Sequence, residues 1–95
     1  MMSQIPIRMN NIPLKESDQQ VLRASMIAEL DAASLYDQMA ASSSHPNVRK
    51  ILKSIAEEEK VHFGEFLSQL NIEDGESAKA IAKGDIEARK LREVI

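Results

Sequence analysis

The sequence predicts an all-α protein, an antiparallel helical hairpin followed by a short C-terminal helix. From Val21 to Ala41 the chain contains neither Gly nor Pro and is rich in residues with high helix propensity. Apolar residues recur at steps of three and four along two long segments, as they do on one face of a helix. No segment alternates apolar and polar residues in the manner of a half-buried strand.

The chain is expected to begin with an N-terminal arm over residues 1–16, because Pro6 and Pro13 disfavour a helix there. A helical domain over residues 17–95 follows, and its first helix is predicted at about 17–43. Ser17, followed three residues later by Gln20, forms the pattern of a capping box at a helix start.

The second helix is predicted over residues 46–70, since Pro46 disfavours helix in the residue before it and favours the first helical position itself. The segment after residue 70 has the composition of a turn. A third helix is predicted over residues 77–94. Its candidate inward positions are Ile81, Ile86 and Leu91.

Composition limits the functions that this chain can carry. A core formed by 95 residues is marginal without a disulfide, a metal or a partner chain, and the chain has no cysteine for a disulfide or a thiolate metal site. The net charge of −3 gives no electrostatic basis for binding nucleic acid. No apolar run approaches the roughly 20 residues of a membrane span, and the start does not resemble a signal peptide. We therefore expect a cytoplasmic protein that uses O and N metal ligands, self-association, or both.

The two long helices carry polar residues in the middle of their apolar faces. A buried carboxylate without a partner is costly, so such groups are paired or bind metal, and neither face has a Lys or Arg to neutralise them. The face of the first helix consists of Leu22, Met26, Glu29, Ala33, Tyr36 and Ala40, and that of the second consists of Val48, Leu52, Ile55, Glu59, His62, Phe66 and Leu70.

Metal binding is the simplest single explanation for the polar residues on these two faces. Glu59 and His62 form a Glu-x-x-His pair on one helix face, and Glu29 lies at the corresponding height of the preceding helix. A di-iron bundle takes one Glu from each of two helices and a Glu-x-x-His from each of the other two. One hairpin supplies half of that set, so a homodimer with the metal in its two-fold interface is predicted. Carboxylate and imidazole ligands suit Fe, with Mn or Zn as substitutes.

Three assignments at this site stay open from the residues alone. Glu58 lies four residues before His62 and replaces Glu59 if the helix has a different register. Tyr36 is either a core aromatic residue or a hydrogen-bond donor to a ligand carboxylate. Asp31 is either a surface residue or part of the path by which metal reaches the site.

The motifs resemble those of the encapsulated ferritins, ferritin-like proteins with two long helices per subunit that reside in encapsulin nanocompartments. The similarity lies in Ile27-Ala28-Glu29-Leu30-Asp31-Ala32 with Leu35-Tyr36-Asp37-Gln38, and in Glu57-Glu58-Glu59-Lys60-Val61-His62 with Gly64-Glu65-Phe66. It covers residues 21–70. Where the family often carries a further acidic residue and a Trp of an outer metal site, this chain has Ala28 and Leu35, which leaves only Asp31.

The resemblance implies a ferritin-like four-helix bundle formed by two subunits, and a ring of such dimers, commonly a decamer. It implies a ferroxidase centre with Glu29, Glu59 and His62 of both chains as ligands and Tyr36 nearby. It also implies oxidation of Fe(II) to Fe(III) for iron storage and detoxification, with the mineral held in an encapsulin shell.

Other functions are compatible with the same residues. A structural helical hairpin that dimerises without catalysis predicts an assembly that is indifferent to metal. A rubrerythrin-like di-iron protein that reduces peroxide usually takes electrons from a thiolate centre, which a chain without cysteine cannot build. A metal-dependent regulator is a third alternative, although no basic surface supports contact with DNA.

Overall fold

A computed structural model describes residues 14–93 as three helices in chain order. These are α1 (Leu14–Ser42), α2 (Pro46–Glu73) and α3 (Gly75–Glu93). No strand occurs between residues 14 and 93, which confirms the predicted all-α class. None of these helices combines the length and apolarity that a bilayer span requires.

Helix α1 begins three residues before the predicted start. Ser17 therefore lies inside the helix, and the capping box predicted there is wrong. Residues 14–16 (Leu-Lys-Glu) all have high helix propensity, and the acidic Glu16 suits the positive end of the helix dipole. The remainder of the predicted arm, residues 1–13, lies outside the described part of the chain.

A short turn of three residues, 43–45, reverses the chain between α1 and α2. His45 is the N-cap of α2, and its Nδ1 accepts a hydrogen bond from the Asn47 backbone N–H at 3.2 Å. Pro46 occupies the first helical position, where its missing N–H leaves no hydrogen bond unmade. At the other side of the turn, the Ser43 backbone N–H donates to the Met39 carbonyl at 3.1 Å.

Helices α1 and α2 pack against each other along most of their length. Small buried side chains, among them Ala33, Ala40 and Ala56, line the contact and allow the two backbones to approach closely. Leu70 is the one large side chain in residues 16–93 that is almost completely buried, with 2% of its surface exposed. Most other large apolar side chains remain partly or largely exposed, Ile51 to 61%. The core of a single chain is therefore too small to bury most of its large apolar side chains.

Helix α3 contacts the hairpin mainly through α2 and has no buried residue. The predicted inward positions are wrong, because Ile81, Ile86 and Leu91 are 49%, 53% and 75% exposed. Their five-residue spacing places successive side chains about 140° apart on a helix, so they cannot share one face. The radius of gyration of 16.7 Å exceeds the roughly 12 Å expected for a compact chain of this length. The molecule is accordingly open and flat, with extents of 47 × 46 × 20 Å.

Candidate metal centre

The hairpin brings three side chains together near the middle of its two long helices. Glu29 comes from α1, and Glu59 and His62 come from successive turns of α2. One potential ligand atom from each of the three lies within 4.8 Å of the others. Glu59 belongs to this group, whereas the alternative Glu58 is exposed and lies outside it.

Carboxylate oxygens of both glutamates approach the imidazole of His62. Nδ1 of His62 lies 3.4 Å from Oε2 of Glu29 and 3.6 Å from Oε2 of Glu59. The glutamate side chains are only 18% and 20% exposed, whereas that of His62 is 46% exposed. The group is thus lined by carboxylates on the inside and opens to the surface of the hairpin at the imidazole.

The Oε2 atom of Glu29 is buried and has no hydrogen-bond donor among the described residues. Its 3.4 Å separation from His62 Nδ1 is an electrostatic contact without the alignment of a hydrogen bond. A buried polar atom left without a partner is destabilising, and few remain in native proteins. A cation at this position would satisfy the oxygen, so the residues fit a metal.

The acid–base properties of the three groups depend on one another. The close approach of the Glu59 side chain, then burial, and then the negative charge of Glu59 raise the pKa of Glu29, and His62 only partly offsets this effect. Desolvation lowers the pKa of His62, but the Glu29 and Glu59 carboxylates outweigh it and raise this pKa above its ordinary value. Repulsion between the two carboxylates therefore destabilises the cluster when both are ionised, and a bound cation would reduce that repulsion.

The chemistry of this donor set is that of a non-thiolate transition-metal site. Two carboxylates and one imidazole suit Fe, Mn or Zn. Three protein ligands from one chain are half of the six that a di-iron helical bundle uses.

Tyr36 and Asp31 do not belong to this group. Tyr36 is half-buried on α1 two turns after Glu29, and within residues 16–93 its hydroxyl makes no hydrogen bond to a ligand carboxylate. Asp31 is buried, with 9% of its surface exposed, and lies two residues from Glu29, about 200° around the helix. Roles for Tyr36 beside the metal and for Asp31 in metal access stay predictions.

One supporting residue was not foreseen from the sequence. Lys60, next to Glu59, lies 3.1 Å from Glu57 on its own helix and 3.9 Å from Asp37 on α1. A hydrogen bond to Glu57, then the charges of Glu57 and Asp37, raise the pKa of Lys60. This exposed bridge contributes little stability, but it joins the two helices beside the site. The lysine that directly follows the run of three glutamates was the available signal.

The sequence of this chain is similar to those of known proteins. A family model of the rubrerythrins matches residues 20–91. A ferritin-like encapsulin shell fusion protein of Pyrococcus furiosus is 47% identical over 77 residues, which are 81% of this chain. The chain spans only 22% of the length of that relative.

A solved structure extends the comparison to three dimensions. The crystal structure of the encapsulated ferritin domain from Pyrococcus furiosus matches with a TM-score of 0.82 and 39% identity, covering 99% of this chain and 96% of that one. The fold is therefore ferritin-like, and the relatives together with the carboxylate and histidine group indicate an iron-related function. The chain belongs to the rubrerythrin family and, within it, to the encapsulated ferritins.

Proposed function

We propose that the chain is a ferroxidase subunit that oxidises Fe(II) to Fe(III) with dioxygen as the electron acceptor. The observation that supports this most directly is the buried Glu29 Oε2, which lacks a hydrogen-bond donor and lies beside Glu59 and His62. Fe(II) is the substrate that this oxygen and its two neighbours would bind.

The catalytic work of the residues is to bind two substrate irons close together and to favour their oxidised form. Glu29, Glu59 and His62 of two chains would provide six ligands for the two irons. The four carboxylates together carry about four negative charges, and this charge stabilises Fe(III) more than Fe(II). His62 binds only when neutral, so protons compete with iron for its nitrogen.

Self-association is part of the proposal because one chain holds half of the site. The homodimer would cover the exposed apolar surface beside the cluster, which includes Val48 and Ile51. Dimers would assemble further into a ring, commonly a decamer, which has no closed cavity for a mineral. The relative fused to an encapsulin shell supports a position inside such a shell in the cytoplasm, where the oxidised iron would be stored.

Stopped-flow oxidation of anaerobically loaded Fe(II) tests the activity. Glu29→Ala and His62→Ala should each remove most of the rate, while circular dichroism shows intact helices. Glu58→Gln is the matched control, because Glu58 is an exposed carboxylate one residue from Glu59 and outside the cluster. Wild-type rates in the Glu29 or His62 variants would refute the assignment.

A second candidate function is reduction of hydrogen peroxide, which the match to the rubrerythrin model favours. The 95 residues contain no cysteine, so this chain cannot itself ligate a thiolate iron centre as electron donor. Oxidation of the Fe(II)-loaded protein by peroxide and by dioxygen, in parallel, separates the two functions. A ferroxidase turns over iron with dioxygen alone, whereas a peroxide reductase reacts much faster with peroxide.

A further inference from the structure

Two alanines flank the cluster of Glu29, Glu59 and His62, one helical turn away on the side toward the hairpin turn. Ala33 comes four residues after Glu29 on α1, and Ala56 comes three residues before Glu59 on α2. Because the two helices of the hairpin run in opposite directions, both alanines lie at the same height. Ala33 is 3% exposed and Ala56 is 0% exposed, so both side chains are enclosed where α1 and α2 pack.

The small volume of these two side chains limits how far apart the helices are at this height. The distance between packed helix axes is about 8–10 Å and depends on the side chains at the contact, so alanines favour the short end of this range. Protein interiors are close-packed. An added methyl group is therefore accommodated only by moving a helix or by forcing a side chain off its preferred rotamer. Ala33 and Ala56 thus fix the separation of α1 and α2 beside the cluster.

The separation of the helices matters because the cluster takes its potential ligands from both of them. Nδ1 of His62 lies 3.4 Å from Oε2 of Glu29 across the hairpin, and 3.6 Å from Oε2 of Glu59 on its own helix. Ligand atoms that each lie about 2.0–2.2 Å from one ion are roughly 3.0–3.5 Å from one another. The spacing across the hairpin is therefore already close to the spacing that a bound ion requires.

Glu29 is the ligand most sensitive to this separation, because α1 supplies no other member of the cluster. Its buried Oε2, without a hydrogen-bond donor among the described residues, independently points to a cation at this place. A shift of α1 away from α2 would lengthen the distance from Glu29 to His62. It would leave the distance between Glu59 and His62 unchanged, since both belong to α2. A displacement of roughly 1 Å at such a site is enough to impair its function.

We infer that Ala33 and Ala56 are positioning residues that hold the Glu29 carboxylate within reach of the other two ligands, and so set the affinity of the site for iron. The identity of the ion rests on the proposed function, whereas the role of the alanines concerns metal binding and not oxidation. Neither alanine offers an atom to the ion, and each acts by keeping the two helix backbones close. Replacing residues that support ligands indirectly lowers metal affinity by about 10–100-fold.

The test compares Ala56→Val, which adds two methyl groups between the helices one turn from the cluster, with Ala40→Val as the matched control. Ala40 is also 0% exposed where the helices pack, but it lies eleven residues after Glu29, about 16 Å along α1. Anaerobic calorimetry at one protomer concentration measures the dissociation constant of Fe(II). The visible spectrum of bound Co(II) reports the number and geometry of the ligands, and circular dichroism reports whether each variant is folded.

Ala56→Val should weaken Fe(II) binding by about 10–100-fold and change the Co(II) spectrum, whereas Ala40→Val should match the wild type in both. Ala33→Val widens the same contact from α1 and should act like Ala56→Val, so the test does not depend on the folding of one variant. Ala56→Gly adds no volume and should retain most of the affinity, although glycine lowers helix stability. This conservative variant separates the spacing of the helices from a loss of stability.

Equal Fe(II) affinities in the folded Ala56→Val and Ala40→Val proteins would overturn the inference, as would an equal loss in Ala56→Val and Ala56→Gly. A wild-type chain that binds neither Fe(II) nor Co(II) would overturn it as well. The rate of Fe(II) oxidation, measured separately on the same proteins, decides the proposed function. If metal binding depends on Ala56 but the wild type oxidises no Fe(II), the ferroxidase proposal fails while the role of the alanines stands.

Discussion

Replacing Glu29 with glutamine should stabilise the metal-free protein while abolishing iron oxidation. Oε2 of Glu29 is buried without a hydrogen-bond donor, and an unsatisfied buried polar atom costs about 1–3 kcal/mol. The amide has the same shape, removes the charge that repels Glu59, and adds N–H donors. We expect the free energy of unfolding at neutral pH to rise by about 1–2 kcal/mol. A chain of 95 residues is stable by about 5–14 kcal/mol, so the change is large.

The Glu29→Gln variant should also differ from the wild type in how its free energy of unfolding depends on pH. The pKa of Glu29 is raised above 4.5 in the folded chain, so folding gains stability as pH falls through that raised pKa. The pKa of His62 is raised above 6.5, so its contribution is complete below 6.5 and is lost as pH rises through the raised value. Both groups therefore lower the stability of the wild-type apoprotein as the pH rises through their raised pKa values. Glu29→Gln should flatten this slope.

Urea denaturation of the apoprotein, at fixed protomer concentration and at several pH values, measures both effects. A gain of 1 kcal/mol corresponds to a rise in Tm of about 4–8 °C for a domain of this size. Glu58→Gln is the control, because the same chemical change at an exposed carboxylate should leave the stability within about 0.5 kcal/mol. A Glu29→Gln apoprotein that is no more stable than Glu58→Gln would refute the reasoning that the cluster is strained without metal.

Three further changes test the hairpin itself, each by urea denaturation. Gly64→Ala should stabilise by about 0.5–1 kcal/mol, because an added Cβ contacts nothing within 4 Å and alanine has the higher helix propensity; a loss would contradict the open space seen there. Leu70→Ala should destabilise by about 2–5 kcal/mol, since this side chain is 2% exposed, and a loss below 1 kcal/mol would show that its surroundings collapse. His45→Ala should cost about 0.5–2 kcal/mol by removing the N-cap of α2, whereas His45→Asn should retain it.

The sequence predicts those features that arise from local spacing. Steps of three and four place Glu29, Glu59 and His62 on facing stripes, and the structure brings these side chains together because the short turn before Pro46 forces the helices to pair. Helix propensity is equally local, which is why all three helices were foreseen.

Features that depend on contacts between residues far apart in the sequence, or on how a helix is oriented and bounded, were not predictable in the same way. Arg23 of α1 donates a hydrogen bond to Asp74, the residue between α2 and α3, and no periodicity connects two residues 51 positions apart. Ile81 and Ile86 suggested an inward face only because they are apolar, while their five-residue spacing excludes a common face. The start of α1 was misplaced because Ser17 matches a cap pattern that helix-forming residues before it override.

Native mass spectrometry of the apoprotein, before and after anaerobic Fe(II) and then after air, tests the central claim most directly. The account predicts even-numbered assemblies that take up about two irons per pair of chains, in line with six ligands shared by two hairpins, and then oxidise them. His62→Ala should lose this uptake. Assemblies that never bind Fe(II), or that bind it equally well without His62, would contradict a shared iron site and leave the three side chains with a structural role alone.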